Sequence, residues 1–256
     1  MKELLLPDGR TFTWREGGNG APLILIHGWG SSSAIFAELM TQLPGVQTLA
    51  LDLPGYGASS PTPTLDLEGL TNDFMTWIDA LALPRVTLLG WSFGGILAQY
   101  LAAHFPSRIE RLILIATTPR FVATTDWPHG LADAAVRALA RDFKRAPLLT
   151  LENFQTRQFQ GEKTIPPPLL PRVETATALN GLQLLRCVDL RPELAKITMP
   201  TLVVHGALDL IIPMNAGRFL AATLAQAQLH EVSACGHAPF RSDVAAVSAF
   251  LRDFLS

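Results

Sequence analysis

The sequence predicts an α/β protein: a mostly parallel, twisted sheet flanked by helices, with an α-helical cap inserted before the late strands. Short apolar runs alternate with stretches of helical periodicity, the pattern of a sheet covered by helices. The central runs are apolar at consecutive positions, as strands buried on both faces require. From Thr117 to about Thr198 the alternation stops, and it resumes at Thr201 as if the same sheet continued.

Along the chain, Leu4–Leu6 and Thr11–Arg15 flank the turn tripeptide Pro7-Asp8-Gly9 and form a leading hairpin. Leu23–His27 is the first continuous apolar run. Val46–Leu51, Arg85–Gly90, Arg111–Ala116 and Thr201–His205 repeat it, and Gln228–Val232 is a weaker instance. Helical stretches lie between them at about 33–43, 66–82, 93–104, 214–225 and 242–254. Within 66–82, Leu67, Leu70, Phe74, Ile78 and Leu81 share one helical face. The interrupting stretch is helix-rich, carries Pro166-Pro167-Pro168 and contains no convincing strand. It concentrates the cations Arg137, Arg141, Lys144, Arg145, Arg157, Lys163 and Arg172. The expected division is a core of residues 1–116 and 199–256, with an α-helical cap subdomain over 117–198.

With 256 residues the chain can build one large domain, or a core with an inserted subdomain. Charged residues are 16% of the chain and hydrophobic ones 48%; a usual charged share is ~25%, so extensive burial is expected and disorder is not. A net charge of −2 and an isoelectric point near 6.3 leave no broad basic footprint for nucleic acid. The first apolar run stops after Leu6, which makes no secretory signal. Runs such as Leu23–Ile26 and Leu112–Ala116 fall far short of the ~18 residues of a membrane span. Cys187 and Cys235 form neither a disulfide framework nor a metal motif. A cytoplasmic protein without metal, membrane or nucleic-acid partner is expected; catalyst, small-molecule receptor and scaffold remain open on these grounds.

The chemistry begins after the strand Val86–Leu89, where Gly90-Trp91-Ser92-Phe93-Gly94-Gly95 opens a helix. This is Gly-x-Ser-x-Gly in strand–turn–helix context. The turn strains its central residue, and side chains two positions either side would collide, hence glycine at 90 and 94. Ser92 then projects its hydroxyl at a helix N-terminus, where the dipole favours developing negative charge. A serine hydroxyl needs a base oriented by a third group, and the chain supplies both in the order serine, aspartate, histidine. Asp209 follows the strand Thr201–His205 at the carboxyl end of the sheet, and His237 lies in Ala234-Cys235-Gly236-His237-Ala238-Pro239-Phe240. That loop of small residues suits an imidazole that must swing between Ser92 and a leaving group. The turn His27-Gly28-Trp29-Gly30-Ser31 can aim the Trp29 N–H at a substrate oxyanion, with the Phe93 N–H as its partner. His27 reads as a loop-fixing residue, and Asp52 in Asp52-Leu53-Pro54-Gly55-Tyr56-Gly57 as loop architecture. His104 reads as a helix-end dipole partner and His205 as a core or supporting residue. His129 and His230 are peripheral, and Cys235 is a small buried thiol.

Together these motifs resemble the α/β-hydrolase superfamily along the whole chain. The closer resemblance is to the pimeloyl-acyl-carrier-protein methyl ester esterases of biotin synthesis. It is carried by Leu25-Ile26-His27-Gly28-Trp29-Gly30, Asp52-Leu53-Pro54-Gly55-Tyr56-Gly57, Gly90–Gly95 and Gly236-His237-Ala238-Pro239-Phe240. Three segments with no catalytic necessity carry it further: Asp126-Trp127-Pro128, Leu179-Asn180-Gly181-Leu182 and Val188-Asp189-Leu190-Arg191. The resemblance implies hydrolysis of the methyl ester on a pimeloyl chain borne by acyl-carrier protein, together with short-chain carboxylesterase activity and no cofactor. It implies substrate contacts at Phe154, Gln155, Thr156, Arg157 and Gln158 beside Trp29, Ser92, Phe93 and His237. It also implies transient carrier-protein contact through basic cap residues. Leu149 and Asn153 stand where arginines are expected, leaving Arg137, Arg141, Lys144, Arg145 and Arg157 as substitutes. The alternatives are a generalist carboxylesterase, a carbon–carbon hydrolase or perhydrolase relative, and a ligand receptor on the same fold. A serine at 92 argues against aspartate-nucleophile dehalogenases and epoxide hydrolases.

Overall fold

The apolar runs are strands in the computed structural model, which describes residues 1–62 and 65–256. In chain order they are β1 (Lys2–Leu5), β2 (Thr11–Gly17), β3 (Ala21–Ile26), β4 (Val46–Asp52), β5 (Val86–Trp91), β6 (Ile109–Ile115), β7 (Thr201–Gly206) and β8 (Ala227–Val232). The described residues join them into one eight-stranded sheet in the order β1-β2-β4-β3-β5-β6-β7-β8. β2 pairs antiparallel with β1 and β4, and the remaining pairs are parallel. Strand pleating sends Ile24 and Ile26 into one hydrophobic cluster and Leu23 and Leu25 into another. Both faces of β3 are therefore dry, which is why its sequence is continuous rather than alternating.

The helices are α1 (Ala37–Thr41), α2 (Leu67–Ala80), α3 (Phe93–His104), α4 (Asp133–Arg145), α5 (Pro147–Gln158), α6 (Thr175–Cys187), α7 (Met214–Thr223), α8 (Pro239–Ser242) and α9 (Val244–Leu255). The stretch read at 33–43 begins as a 3-10 turn, Ser33–Phe36, with the Ser33 N–H donating to Asp52 Oδ1 at 2.7 Å. The helix read at 242–254 is α9, capped by Asp243, whose carboxylate accepts from Ala246 N. α2 starts at Asp66, which accepts from Gly69 N, and seats Leu70, Phe74, Trp77 and Ile78 in the core. α3 lies against β5 and β6 and is buried almost all round. No helix among the described residues is long and apolar enough to cross a membrane.

Between β6 and β7 the described residues form α4, α5 and α6, with isolated bridges and no strand. The two ends of this segment are tied together. Arg120 Nη1 donates to Asp189 Oδ2 at 2.5 Å, and Arg191 Nη2 reaches Asp189 at 2.7 Å and Asp126 at 2.9 Å. The Arg191 guanidinium also covers the Trp127 ring at 5.5 Å. Two segments that carry the family resemblance, Asp126-Trp127-Pro128 and Val188-Asp189-Leu190-Arg191, are thus the two halves of one clamp. The Arg191 hydrogen bond, with that of Arg120 and against partial burial, holds the Asp189 carboxyl down to about 2 from 3.8. The clamp therefore contributes fully above pH 3.8 and is lost as pH falls through about 2. Asp189→Asn is expected to cost about 1–2 kcal/mol in urea titrations at pH 7, and the difference from wild type should vanish near pH 2.

Candidate active site

Ser92 follows β5 and precedes α3 with φ 55° and ψ −118°, a left-handed backbone that a serine adopts only under constraint. Four hydrogen bonds impose it. Its N–H donates to Ile115 O at 3.0 Å, and its carbonyl accepts from Gly95 N, Ile96 N and Thr117 Oγ1 at 2.9, 3.3 and 2.7 Å. The flanking glycines are sterically required. A Cβ on Gly90 would stand 2.5 Å from Gly94 O, and one on Gly94 would stand 2.1 Å from Ile26 O of β3.

Asp209 follows β7 and is held at both oxygens. Oδ1 accepts from Ile211 N at 2.7 Å and Ile212 N at 2.9 Å, while Oδ2 faces His237 Nδ1 at 2.7 Å. The carboxylate assigns the proton of the neutral ring to Nδ1, leaving Nε2 to accept from Ser92 Oγ at 2.9 Å. Burial alone would raise the Asp209 carboxyl. The charge and hydrogen bonds of His237 and His205 outweigh that effect and hold it far below the ordinary carboxylate range. His237 is fully buried and Ser92 only 7% exposed, so the array is largely shielded from water.

The His237 loop is pinned rather than loose. His237 N donates to Gln158 O at 2.8 Å, Trp91 Nε1 donates to His237 O at 2.8 Å, and Gly236 N donates to Glu162 Oε1 at 2.6 Å. Its small residues serve close packing: a Cβ on Gly236 would stand 2.2 Å from Gln158 O. Cys235 beside it is buried, which with the nearby carboxylates of Glu162 and Asp243 pushes its thiol up to about 11.

The turn after β3 lies directly on the serine, since a Cβ on Gly28 would be 3.0 Å from Ser92 Cβ. Gly30 in the same turn has φ 67°. Phe93 is the first residue of α3, where an N–H has no helical acceptor. Neither it nor the Trp29 N–H has a backbone partner among the described residues. The Trp29 indole donates to Ala178 O at 2.8 Å, and Gly181 gives α6 its close approach to that ring. His27 and Asp52 do not join Ser92. His27 Nε2 accepts from Leu53 N and Nδ1 donates to Gly28 O, with burial lowering its basicity. Asp52 accepts from Ser33 N, Ala58 N and Thr13 Oγ1.

A cavity of about 170 Å³ lies between α4, α5 and the loop bearing Ile211. Phe154 and Ile211 connect it to the serine site: Phe154 stands edge-on to Trp29 at 5.0 Å, and Ile211 N holds Asp209. Phe154 and Arg157 line this cavity. Gln155 instead accepts from Leu169 N and donates to Leu169 O, and Thr156 bonds Glu152 O within its own helix. Gln158 meets His237 through its backbone carbonyl. Sequence reasoning missed Thr117 and Glu162; Glu162 is 74 residues from Gly236, and no local pattern marks it.

A serine hydroxyl facing an imidazole that a buried carboxylate orients can attack an acyl carbonyl. The chain belongs to the alpha/beta hydrolase family, whose sequence profile matches residues 23–250, and it is a hydrolase. It is similar to the pimeloyl-acyl-carrier-protein methyl ester esterase of Chromobacterium violaceum, 36% identical over 237 residues, covering 88% of this chain and 90% of that one. The protein of that name from Nitrosomonas europaea is 36% identical over 241 residues, covering 88% and 92%. Among solved structures, an esterase from Exiguobacterium antarcticum matches with a TM-score of 0.91 at 28% identity over 98% of both chains. Gly94→Ala, which drives a methyl into Ile26 O, is expected to lose at least about 3 kcal/mol in urea unfolding.

Proposed function

We propose that this chain is a serine carboxylesterase that hydrolyses the methyl ester of pimeloyl-acyl-carrier protein in biotin synthesis, and short-chain carboxylic esters beside it. The observation that supports it most is the continuous path from Ser92 Oγ through His237 to Asp209, at 2.9 and 2.7 Å, in a chain with relatives of that name. In this reading Ser92 Oγ attacks the ester carbonyl while its proton passes to His237 Nε2. Asp209 keeps the ring oriented and stabilises the imidazolium. The N–H groups of Trp29 and Phe93 bind the tetrahedral oxyanion, and losing one such donor typically costs ~10²–10³ in rate. Methanol leaves with the proton from His237. Water, deprotonated by the same nitrogen, then opens the acyl-enzyme and frees the distal carboxylate. Every group that these steps need is supplied by the chain.

Residues 117–198 act in this proposal as a cap subdomain over the core of 1–116 and 199–256. Arg137, Arg141, Lys144 and Arg145 recur at helical spacing along α4 and are exposed. Arg137 is paired with Asp133, whereas Arg141, Lys144, Arg145 and Arg157 have no ion-pair partner among the described residues. They are the proposed contact for an acidic carrier protein in the cytoplasm. One observation favours a generalist carboxylesterase instead: Leu149 and Asn153 occupy positions where the family resemblance calls for arginine, and both are exposed.

The test follows methyl loss from pimeloyl-carrier-protein methyl ester by mass spectrometry, with free short-chain esters in parallel. Ser92→Ala should lower kcat/KM by roughly 10⁴-fold or more with unchanged circular dichroism. Arg141→Glu with Arg145→Glu should raise KM for the carrier-linked ester about tenfold more than for the free methyl ester. Turnover of free esters alone would leave the generalist, and persistent turnover in Ser92→Ala would remove the nucleophile.

A further inference from the structure

Two imidazoles face Asp209 Oδ2. His237 is the one used above. The other is His205, fully buried at the end of β7, four residues before the carboxylate. Its Nε2 stands 2.9 Å from Ile212 O and 3.3 Å from Asp209 Oδ2. Both neighbours are acceptors, so this nitrogen carries the hydrogen. Nδ1 has no hydrogen-bond partner among the described residues. It lies against α7, where a Cβ on Gly217 would stand only 2.6 Å away, so the ring has room because residue 217 is glycine. A buried nitrogen without a partner is costly. The polar ring can offset that cost only at Nε2.

We propose that His205 is a positioning residue for Asp209, the carboxylate that orients the base, its Nε2–H locking that carboxylate and drawing charge away from the oxygen that faces His237. The proposal rests on the assignment of Ser92, His237 and Asp209 made above. Its geometry is a closed loop. Asp209 Oδ1 accepts from Ile212 N at 2.9 Å, the Ile212 carbonyl accepts from His205 Nε2 at 2.9 Å, and the same nitrogen lies 3.3 Å from Asp209 Oδ2, within electrostatic contact. The carboxylate therefore cannot rotate without breaking the turn that carries it. A donor beside Oδ2 also weakens that oxygen's pull on the Nδ1 proton of His237. The other charged groups around the pair are Glu231 on β8, opposite His205 and bound by Arg218 of α7, and Glu162, whose carboxylate is held by Gly236 N.

The experiment measures kcat, KM and the acidic limb of the pH–rate profile with a short-chain nitrophenyl ester. The variants are His205→Leu, His205→Gln and Gly217→Ala. His205→Leu removes the donor at similar volume. It should lower kcat roughly threefold to tenfold and move the acidic limb up by about half a unit to one unit, with KM unchanged. His205→Gln, which can present an amide N–H to the same oxygen, should restore the limb. Gly217→Ala, which crowds the ring without touching Asp209, should shift it in the same direction as leucine. Wild-type kcat and limb in His205→Leu, or equal effects of leucine and glutamine, would overturn the proposal. Should His205→Leu not fold, the ¹⁵N-histidine spectrum of the wild-type protein decides: His205 must carry its proton on Nε2, and a proton on Nδ1 excludes the role. Ser92→Ala run beside these separates the two assignments. Residual turnover there defeats the nucleophile, whereas an inactive Ser92→Ala with an unaltered His205→Leu defeats only the role of His205.

Discussion

The left-handed backbone of Ser92 is the constraint around which the rest is arranged. A non-glycine residue at φ 55° costs on the order of 1–3 kcal/mol and persists only where its surroundings over-determine it. Those surroundings come from four parts of the chain. β6 supplies Ile115 O, the residues after it supply the Thr117 hydroxyl, α3 supplies Gly95 N and Ile96 N, and β3 stands so near that residue 94 can have no side chain. The parallel sheet is what brings β3, β5 and β6 side by side with their carboxyl ends level, so the strained serine requires the sheet and cannot be formed locally.

The same sheet edge explains why the other two groups arrive from far along the chain. β7 neighbours β6 and delivers Asp209, and β8 neighbours β7 and delivers the loop of His237. The ends of β5, β7 and β8 thus supply the proposed nucleophile, orienting carboxylate and base. The helical segment before β7 is coupled to this array directly: Gln158 O and Glu162 hold the backbone of the His237 loop, and Arg241 Nη2 donates to Pro167 O at 3.0 Å. Any shift of α5 is therefore transmitted to the proposed base through main-chain hydrogen bonds. One turn before Gln158 on the same helix, Phe154 touches the Trp29 ring in the turn that lies over Ser92.

The parts legible in the sequence share a cause. Strands β3 to β7 were readable because burial on both faces forces consecutive apolar residues, and the predicted helix at 93–104 coincides with α3 because its glycines and alanines answer to close packing. Ser92 was readable because steric exclusion leaves a glycine on each side. The 3-10 start of the stretch at 33–43 was not, because apolar periodicity does not separate a 3-10 turn from an α-helical one. Phe154 to Gln158 entered as contacts implied by the resemblance, and which of them faced the cavity depended on where Leu169 and His237 came to lie.

The sequence by itself determined the fold class, the order of serine, aspartate and histidine, and the glycines that make the turn at Ser92 possible. Pleat and helical period are local demands, and Gly90 is kept bare by Gly94 O of the same turn, whereas Gly94 answers to Ile26 O of β3. Tertiary structure alone decided that His237 meets both Ser92 and Asp209 at these distances, that Glu162 supports a loop 74 residues away, and that His205 lies on the same oxygen as His237. Those outcomes depend on the register and order of strands far apart in the chain. A hydrogen bond of 2.7 Å across 28 residues leaves no periodic trace in the sequence that makes it.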